Sequence, residues 1–504
     1  MALLNRSDWY DIARDTNWQP SYVRRDELFP PVHSGDLEFT PEIWNQYDEP
    51  YKVSYREYVN VQREKDAGIY GVKTAAARTR YMDKVDDRWH SVLKFHFGGA
   101  SLGECCSQWA ESRMARFAQA PGMRNMATFG LLDEIRHGQS QLFFCHENIA
   151  KDMQYSWGYK FLGTHEWGAH CVRAVFDDYF LGRDVNATAI MLTSAFETAF
   201  TNMQFLGLAA DAAEQGDVSF SNLISSIQTD EARHAQIGGP LIKLMVEHGY
   251  TDRAQQLLEV GFWRTWRMFS LLTGCSMDYF TPLERRTFSF KEFMEEWIID
   301  QFERSVRDLG LKTPWFWDYF IKDVGRFHHG MQLGLWTYRQ TVWFNVPAGV
   351  SKDEREWLEE KYPGWNDTWG KQWDVITDNI LRARPEDTLF KTLVVVCSMS
   401  QLPIVHIAGE RWDPKEHTLN YQGRNYYFQS AVDRWVFQTD PERYKDHLNI
   451  TDMAVRGLIQ PMTPDGALNF MGLSEAERGG DSGHYAWAES FRTPTRKAGS
   501  RDRR

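Results

Sequence analysis

Two copies of one pentapeptide pattern, Asp133-Glu134-Ile135-Arg136-His137 and Asp230-Glu231-Ala232-Arg233-His234, set a glutamate three residues before a histidine. In a helix, that spacing sends a carboxylate and an imidazole from one face as adjacent metal donors. Two such helices supply half of a dinuclear site. The other half is available upstream of each copy, in Glu104 and Glu197, which precede Glu134 and Glu231 by 30 and 34 residues and lie in otherwise apolar stretches. The order Glu, Glu-x-x-His, Glu, Glu-x-x-His is the ligand set of carboxylate-bridged two-metal helix bundles.

A single Glu-x-x-His is expected by chance roughly once in a chain of this size. Two copies that also share Asp and Arg are far harder to reach by accident. Four ionised carboxylates in an apolar bundle would repel one another, at roughly several kcal/mol of desolvation each. Two divalent cations would cancel that charge. The expected metal ligands are Glu104, Glu134, His137, Glu197, Glu231 and His234; oxygen and imidazole donors without thiolate suit iron or manganese.

Around them, Asp133 and Asp230 lie four residues before each histidine and are expected to accept the proton of its non-ligating nitrogen. Arg136 and Arg233 are expected to pair with these aspartates, an exposed helical salt bridge being the competing account. Thr201, one turn after Glu197, carries a hydroxyl towards the site, although a mid-helix Thr can instead bond its own backbone. Asn202 and Gln228 are polar groups able to bond water at the metals. Ala100, Gly103 and Ser107 give the Glu104 face small side chains, with Phe176, Phe196 and Phe205 opposite. Together with Gln141 and Leu192 they form the expected wall of a compact apolar pocket, plain core packing being the alternative for any one aromatic. His328-His329 and the Glu166/His170 pair lack a matching carboxylate and read as structural.

The elements that must hold these groups are helices. Apolar residues recur at helical spacing through residues 88–118, 123–153, 164–181, 186–214, 219–248 and 251–273. Pro121-Gly122, Gly182-Arg183-Asp184, Gly216-Asp217 and Gly249 punctuate them. Short connections predict antiparallel neighbours, and the repeated ligand order predicts two helix pairs about a pseudo-twofold axis. The expected fold is an all-α core, a ferritin-like four-helix di-metal bundle with additional helices, plus a small mixed α/β carboxy-terminal segment.

The expected organisation is an N-terminal arm over residues 1–75, with a helix from Tyr55 to Lys65, and a helical domain over 76–345. A helical extension follows over 346–412, then a small segment over 413–491 and a disordered basic tail over 492–504. In the small segment, Tyr421 to Phe428 reads as a hairpin around Gly423. It resembles a YHS-type domain without metal-binding cysteines, which implies packing or docking. Net charge −12 leaves no footprint for nucleic acid or anionic membrane. The six cysteines form no Cys-x-x-Cys pair, which points to a reducing cytoplasm. The apolar run 189–213 is interrupted by Glu197, Asn202 and Gln204 and reads as a buried helix rather than a membrane span.

On these residues the chain resembles the hydroxylase alpha subunit of bacterial multicomponent, soluble di-iron monooxygenases, in the toluene, isoprene and alkene branch. The likeness runs from Met1-Ala2-Leu3-Leu4-Asn5-Arg6 through Ser226 to His234 and into the carboxy-terminal segment. It implies two iron ions, O2 as co-substrate, and insertion of one oxygen atom into a small hydrocarbon. It also implies beta and gamma hydroxylase subunits in a two-copy assembly, a cofactorless regulatory protein, and electrons from NADH through a reductase and a Rieske ferredoxin. The chain has no Gly-x-Gly-x-x-Gly loop, so no flavin or nicotinamide is expected on it. Thr201, Asn202 and Gln228 match the family's active-site polar residues. Ala100 replaces the bulkier residue of toluene-oxidising members, which favours alkene epoxidation (isoprene, propene) over aromatic hydroxylation. A ribonucleotide reductase radical subunit would carry Tyr seven residues after Glu134, where this chain has Gln141. A scaffold that merely binds metal would show no O2 chemistry.

Overall fold

Asp86, Asp184 and Asp217 each turn a side-chain oxygen onto free backbone N–H groups of the residues that follow, and each starts a helix that carries the site. The computed structural model describes residues 21–492 apart from 390, 393, 408 and 409. The expectations for residues 1–20 and for the tail beyond 492 lie outside the described residues. We label α1 Tyr55–Arg78, α2 Asp87–Phe117, α3 Pro121–Ile149, α4 Trp167–Val175, α5 Val185–Ala189, α6 Asn202–Gln215, α7 Val218–His234 and α8 Thr251–Phe269.

α2 packs on α3, α6 on α7, and α3 on α7. Side chains at 104, 105 and 111 of α2 meet positions 141, 138 and 130 of α3, so the two helices run antiparallel, as their short connection requires. Pro121 stands in the first turn of α3, where its missing N–H costs nothing, and Gly216 closes α6 at φ 77°. α8 covers the segment that carries Glu197. Among the described residues, most buried apolar side chains form one continuous cluster from Leu37 to Ala488, with Val53, Tyr58 and Phe129 in a small second one.

Among the departures from the sequence reading, three bear on how the site is held. The helix expected over 186–214 is α-helical only at its ends; Ile190–Thr201, which holds Glu197, is π-helical. Such wider turns recur where a functional side chain must be aimed off the regular helical face. The helix expected over 219–248 is two helices, α7 and Gly238–Glu247. The break is held by the Thr193 hydroxyl, which accepts the Gly238 N–H at 2.7 Å, and a β-carbon at Gly238 would lie 2.2 Å from Ser194 Oγ. The arm helix runs to 24 residues and, instead of projecting, packs on α7.

Outside the bundle, β1 (Val346–Pro347) pairs parallel with β4 (Asp481–Ser482), and β2 (Thr418–Tyr421) pairs antiparallel with β3 (Arg424–Tyr427). The second pair is the hairpin expected around Gly423. Further along the same segment, Pro441–Tyr444 forms a single helical turn. Among the described residues no helix is long and apolar enough to cross a membrane.

Candidate metal centre

α2, the π-helical segment, α3 and α7 bring Glu104, Glu197, the Glu134/His137 pair and the Glu231/His234 pair to one buried point. Donor atoms of Glu104, Glu134, His137 and Glu231 lie within 4.8 Å of one another, and so do those of Glu134, Glu197, Glu231 and His234. The two quartets share Glu134 and Glu231, so the six residues offer two adjacent sets of four donors that would hold two cations. His137 Nδ1 lies 3.2 Å from Glu231 Oε1 and 3.8 Å from Glu104 Oε2, and His234 Nδ1 lies 3.1 Å from Glu134 Oε1. Both rings therefore turn Nδ1 inward and leave Nε2 for the surrounding shell.

The fit to cations rests on what these atoms lack. Both oxygens of Glu134, Glu197 Oε2 and the Nδ1 atoms of His137 and His234 are buried without a hydrogen-bond partner. Such atoms cost free energy unless something satisfies them. Burial, and then repulsion from Glu231, pushes the Glu134 and Glu197 carboxyls well above the usual carboxylate range, and burial pushes Glu231 up. Burial pushes Glu104 up too, but contacts with His137, Glu134 and His96 together hold its carboxyl below that range. Two divalent cations would neutralise the four carboxylates and occupy the inward nitrogens.

The ring contacts outside the cluster cross between the repeats. His137 Nε2 lies 3.2 Å from Asp230 Oδ2, and His234 Nε2 lies 2.9 Å from Asp133 Oδ2. The aspartate expected to steer the histidine on its own helix steers the other one. The reason is geometric: Asp and His four apart share a helix face, but both face the facing helix, whose partner is nearer to the outward nitrogen than its own. The arginines cross too: Arg136 donates to Asp230 Oδ2 at 2.5 Å and Arg233 donates to Asp133, while Arg233 also reaches Asp230 on its own helix at 3.1 Å.

α1 completes this shell. Tyr58 donates to Asp133 at 2.8 Å, Gln62 donates to Asp133 at 2.7 Å and to Asp230 at 2.9 Å, and Lys65 donates to Asp230 at 2.5 Å. Despite burial, His137, Arg136 and Lys65 hold the Asp230 carboxyl far below its ordinary value. Tyr58, Gln62 and Lys65 were not singled out from the sequence, where their helical spacing on a polar arm was the available signal.

Beside the cluster lies a cavity of about 90 Å3, walled by Ala100, Gly103, Ser107, Phe176, Phe196 and Phe205, with Glu104, Glu231, Thr201 and Gln204 at its polar edge. A second cavity of about 220 Å3 shares Phe95, Gly168, Leu271 and Trp343 with the first and extends to the exposed His406.

The family model for methane, phenol and alkene hydroxylases matches residues 18–249. The chain is 44% identical to the alpha subunit of the oxygenase component of an alkene monooxygenase system from Xanthobacter autotrophicus, over 97% of this chain and 98% of that one. The chain belongs to the methane, phenol and alkene hydroxylase family. It is also 27% identical to the oxygenase component of a phenol 2-monooxygenase from Pseudomonas sp. CF600, over 88% of this chain and 85% of that one. The crystal structure of xenon-pressurised phenol hydroxylase from Pseudomonas sp. OX1 has the same fold, with a TM-score of 0.86 at 22% identity, covering 97% of this chain and all of that one. This chain is thus the hydroxylase component of a monooxygenase.

Within the hydroxylase, not every expected site residue meets the cavity. Leu192 is fully buried but is not among the residues that wall it. Gln141 is also outside the wall, because its amide is drawn to Glu104 Oε1 at 2.5 Å. Asn202 and Gln228 lie away from the cavity. Gln228 donates to Asn202 at 3.4 Å, Asn202 donates to its own helix at Thr198, and Asn202 lines a separate, polar surface hollow with Gln46 and Lys243. The position after Thr201 turns outward in any helix when Thr201 itself turns in. Thr201 lines the cavity, and its hydroxyl is buried without a partner, so it does not bond its own backbone.

Proposed function

We propose that this hydroxylase inserts one atom of O2 into small alkenes, epoxidising substrates of the size of propene and isoprene. The observation that carries this reading is the contact between the six-residue cluster and a small apolar cavity that shares Glu104 and Glu231 with it and has Thr201 in its wall. A dry cavity of roughly 150 Å3 accommodates benzene. One of about 90 Å3 suits a smaller hydrocarbon.

Glu104, Glu134, His137, Glu197, Glu231 and His234 would hold two iron ions, which supply reductive O2 activation when bound. The chain's own residues bind, orient and exclude water. Phe176, Phe196 and Phe205 close the apolar side, so an alkene enters without competing for hydrogen bonds and bulk water is kept from the cluster. Asp133 and Asp230 hold the imidazoles with Nδ1 inward. Thr201 offers a hydroxyl at the boundary between polar cluster and apolar wall, able to hold a proton there. The shared walls of the two cavities support a route for the hydrocarbon past Phe95, Leu271 and Trp343.

Electrons come from elsewhere in this reading: NADH, through a reductase and a Rieske ferredoxin. Beta and gamma subunits in a two-copy assembly and a regulatory protein complete the system. The test is a reconstituted assay of the full system with propene, isoprene and toluene. Epoxides from the alkenes, dependent on iron and NADH, are the expected result. Toluene hydroxylation without epoxidation would overturn the substrate assignment, and no iron-dependent O2 consumption with any substrate would overturn the reading as a whole.

A further inference from the structure

Glu104 differs from the other three carboxylates of the cluster in being anchored from behind. Its Oε1 accepts the Gln141 amide N–H at 2.5 Å. Gln141 Oε1 lies 3.1 Å from His96 Nε2, and His96 Nδ1 lies 3.1 Å from Gln204 Nε2. Gln204 Oε1 in turn accepts the Thr273 hydroxyl. All five side chains are buried, and the chain ties α2, α3, α6 and the turn after α8 together.

The direction of every bond follows from its end. A carboxylate oxygen only accepts, so Gln141 must donate with its nitrogen and present its oxygen to His96. That oxygen only accepts, so His96 carries its proton on Nε2. Nδ1 is then a lone pair, met by the Gln204 amide N–H, and the Gln204 oxygen is left for the Thr273 hydroxyl. With the Gln204 amide N–H facing Nδ1, the arrangement is that of the neutral ring. Burial acts in the same sense, pushing the imidazole down to about 4.

We propose that His96 is a positioning residue for Glu104, acting through Gln141, and that its Nε2–H ring decides which Glu104 oxygen is left to bind a cation. This rests on the reading of the cluster as a metal centre. With Oε1 committed to Gln141, Glu104 offers Oε2, the oxygen 3.8 Å from His137 Nδ1. Glu197, its counterpart in the second repeat, has a buried Oε2 without a partner and no such anchor among the described residues. The two ends of the cluster are therefore held unequally. Gln204 belongs also to the cavity wall, so the same chain joins the wall that meets hydrocarbon to the carboxylate that meets metal.

The test uses the metal-free full-length protein titrated with Co2+ and followed by its visible absorption, then turnover of the iron-loaded system. Wild type takes up two ions. In His96→Leu, one ion binds about tenfold more weakly with a changed spectrum, and kcat falls about tenfold, the range for loss of a group that orients a ligand. His96→Gln, which keeps one N–H donor and one oxygen acceptor, restores the spectrum and most of kcat. Gln204→Leu, which removes the donor to Nδ1, moves the spectrum in the same sense and serves if His96→Leu does not fold. In a Gln141→Leu background the His96→Leu effect disappears, because the path is already cut. A wild-type spectrum, affinity and kcat in both His96→Leu and Gln204→Leu would overturn the proposal while leaving the metal centre standing. An undiminished His96→Leu effect in the Gln141→Leu background would overturn the path. Failure of wild type to bind Co2+ would overturn the reading of the cluster itself.

Discussion

Ala100→Ile tests whether cavity size selects the substrate. Ala100 is on the cavity wall, one turn before Glu104 on α2. Isoleucine adds three carbons there. They take volume from a 90 Å3 space, and a five-carbon alkene feels that loss before a three-carbon one. In wild type the two extra carbons of isoprene over propene contribute about 0.8 kcal/mol each when buried, roughly 1.6 kcal/mol or 15-fold in kcat/KM. In the variant those carbons meet the new side chain, and forcing them in costs a further ~1–3 kcal/mol, as overpacking does. The expected result is a fall of at least about 15-fold in the isoprene-to-propene ratio of kcat/KM, with propene turnover retained. Competition between the two alkenes in one vessel, with epoxides resolved by gas chromatography, gives the ratio directly. A ratio unchanged within about twofold, in a variant that retains its iron, would refute the reasoning from cavity volume.

Four further outcomes follow from the site. Glu231→Ala and His234→Ala each abolish iron loading and turnover, read by metal analysis; normal epoxidation by an iron-loaded His234→Ala protein would remove His234 from the ligand set. Thr201→Ala leaves iron bound and changes the rate or the ratio of product formed to NADH consumed. Asp133→Asn weakens metal binding about 10- to 100-fold through His234, the ring it touches, whereas an effect confined to His137, on its own helix, would deny the crossed contact; metal titration with histidine-selective NMR distinguishes them. In metal-free protein, Glu134, Glu197 and Glu231 have carboxyls raised above their unfolded values. The native state then holds more protons than the unfolded chain above the ordinary carboxylate range, and stability falls as pH rises. His137, also raised, acts in the same direction. Thermal unfolding of metal-free protein should therefore occur at higher temperature at about pH 5 than at about pH 8, and added metal should stabilise most at the higher pH.

The ligand residues could be read from the chain because two constraints coincide in them: a helical spacing of three, and carboxylates too costly to bury without cations. Glu104 and Glu197 came with them, as the remaining inward carboxylates of a four-helix arrangement. What could not be read are relations set by the facing helix. Which aspartate steers which histidine depends on the distance between α3 and α7, and no periodicity encodes that. Gln141 has the composition of a pocket residue, but its amide turns to Glu104. Asn202 and Gln228 follow the helix away from the cavity. The π-helical course of Ile190–Thr201 leaves no mark in an apolar run, because π and α turns bury the same side chains until a neighbour fixes the pitch. The break before Gly238 was not legible, because the Thr193 hydroxyl that holds it is 45 residues away. His96, Gln204 and Thr273 are isolated polar residues in apolar surroundings, and only their juxtaposition makes them a chain.

The exchange of aspartates between the two Glu-x-x-His helices interlocks the halves of an ancestral-looking duplication. Neither half holds a complete set of donors: each lacks one of the two carboxylates the quartets share and the outer anchor of its own imidazole. Each aspartate that holds an imidazole also holds an arginine, so a shift of one ring would be felt by the charge network on both helices. A fragment carrying either repeat alone would therefore hold no complete set of four donors.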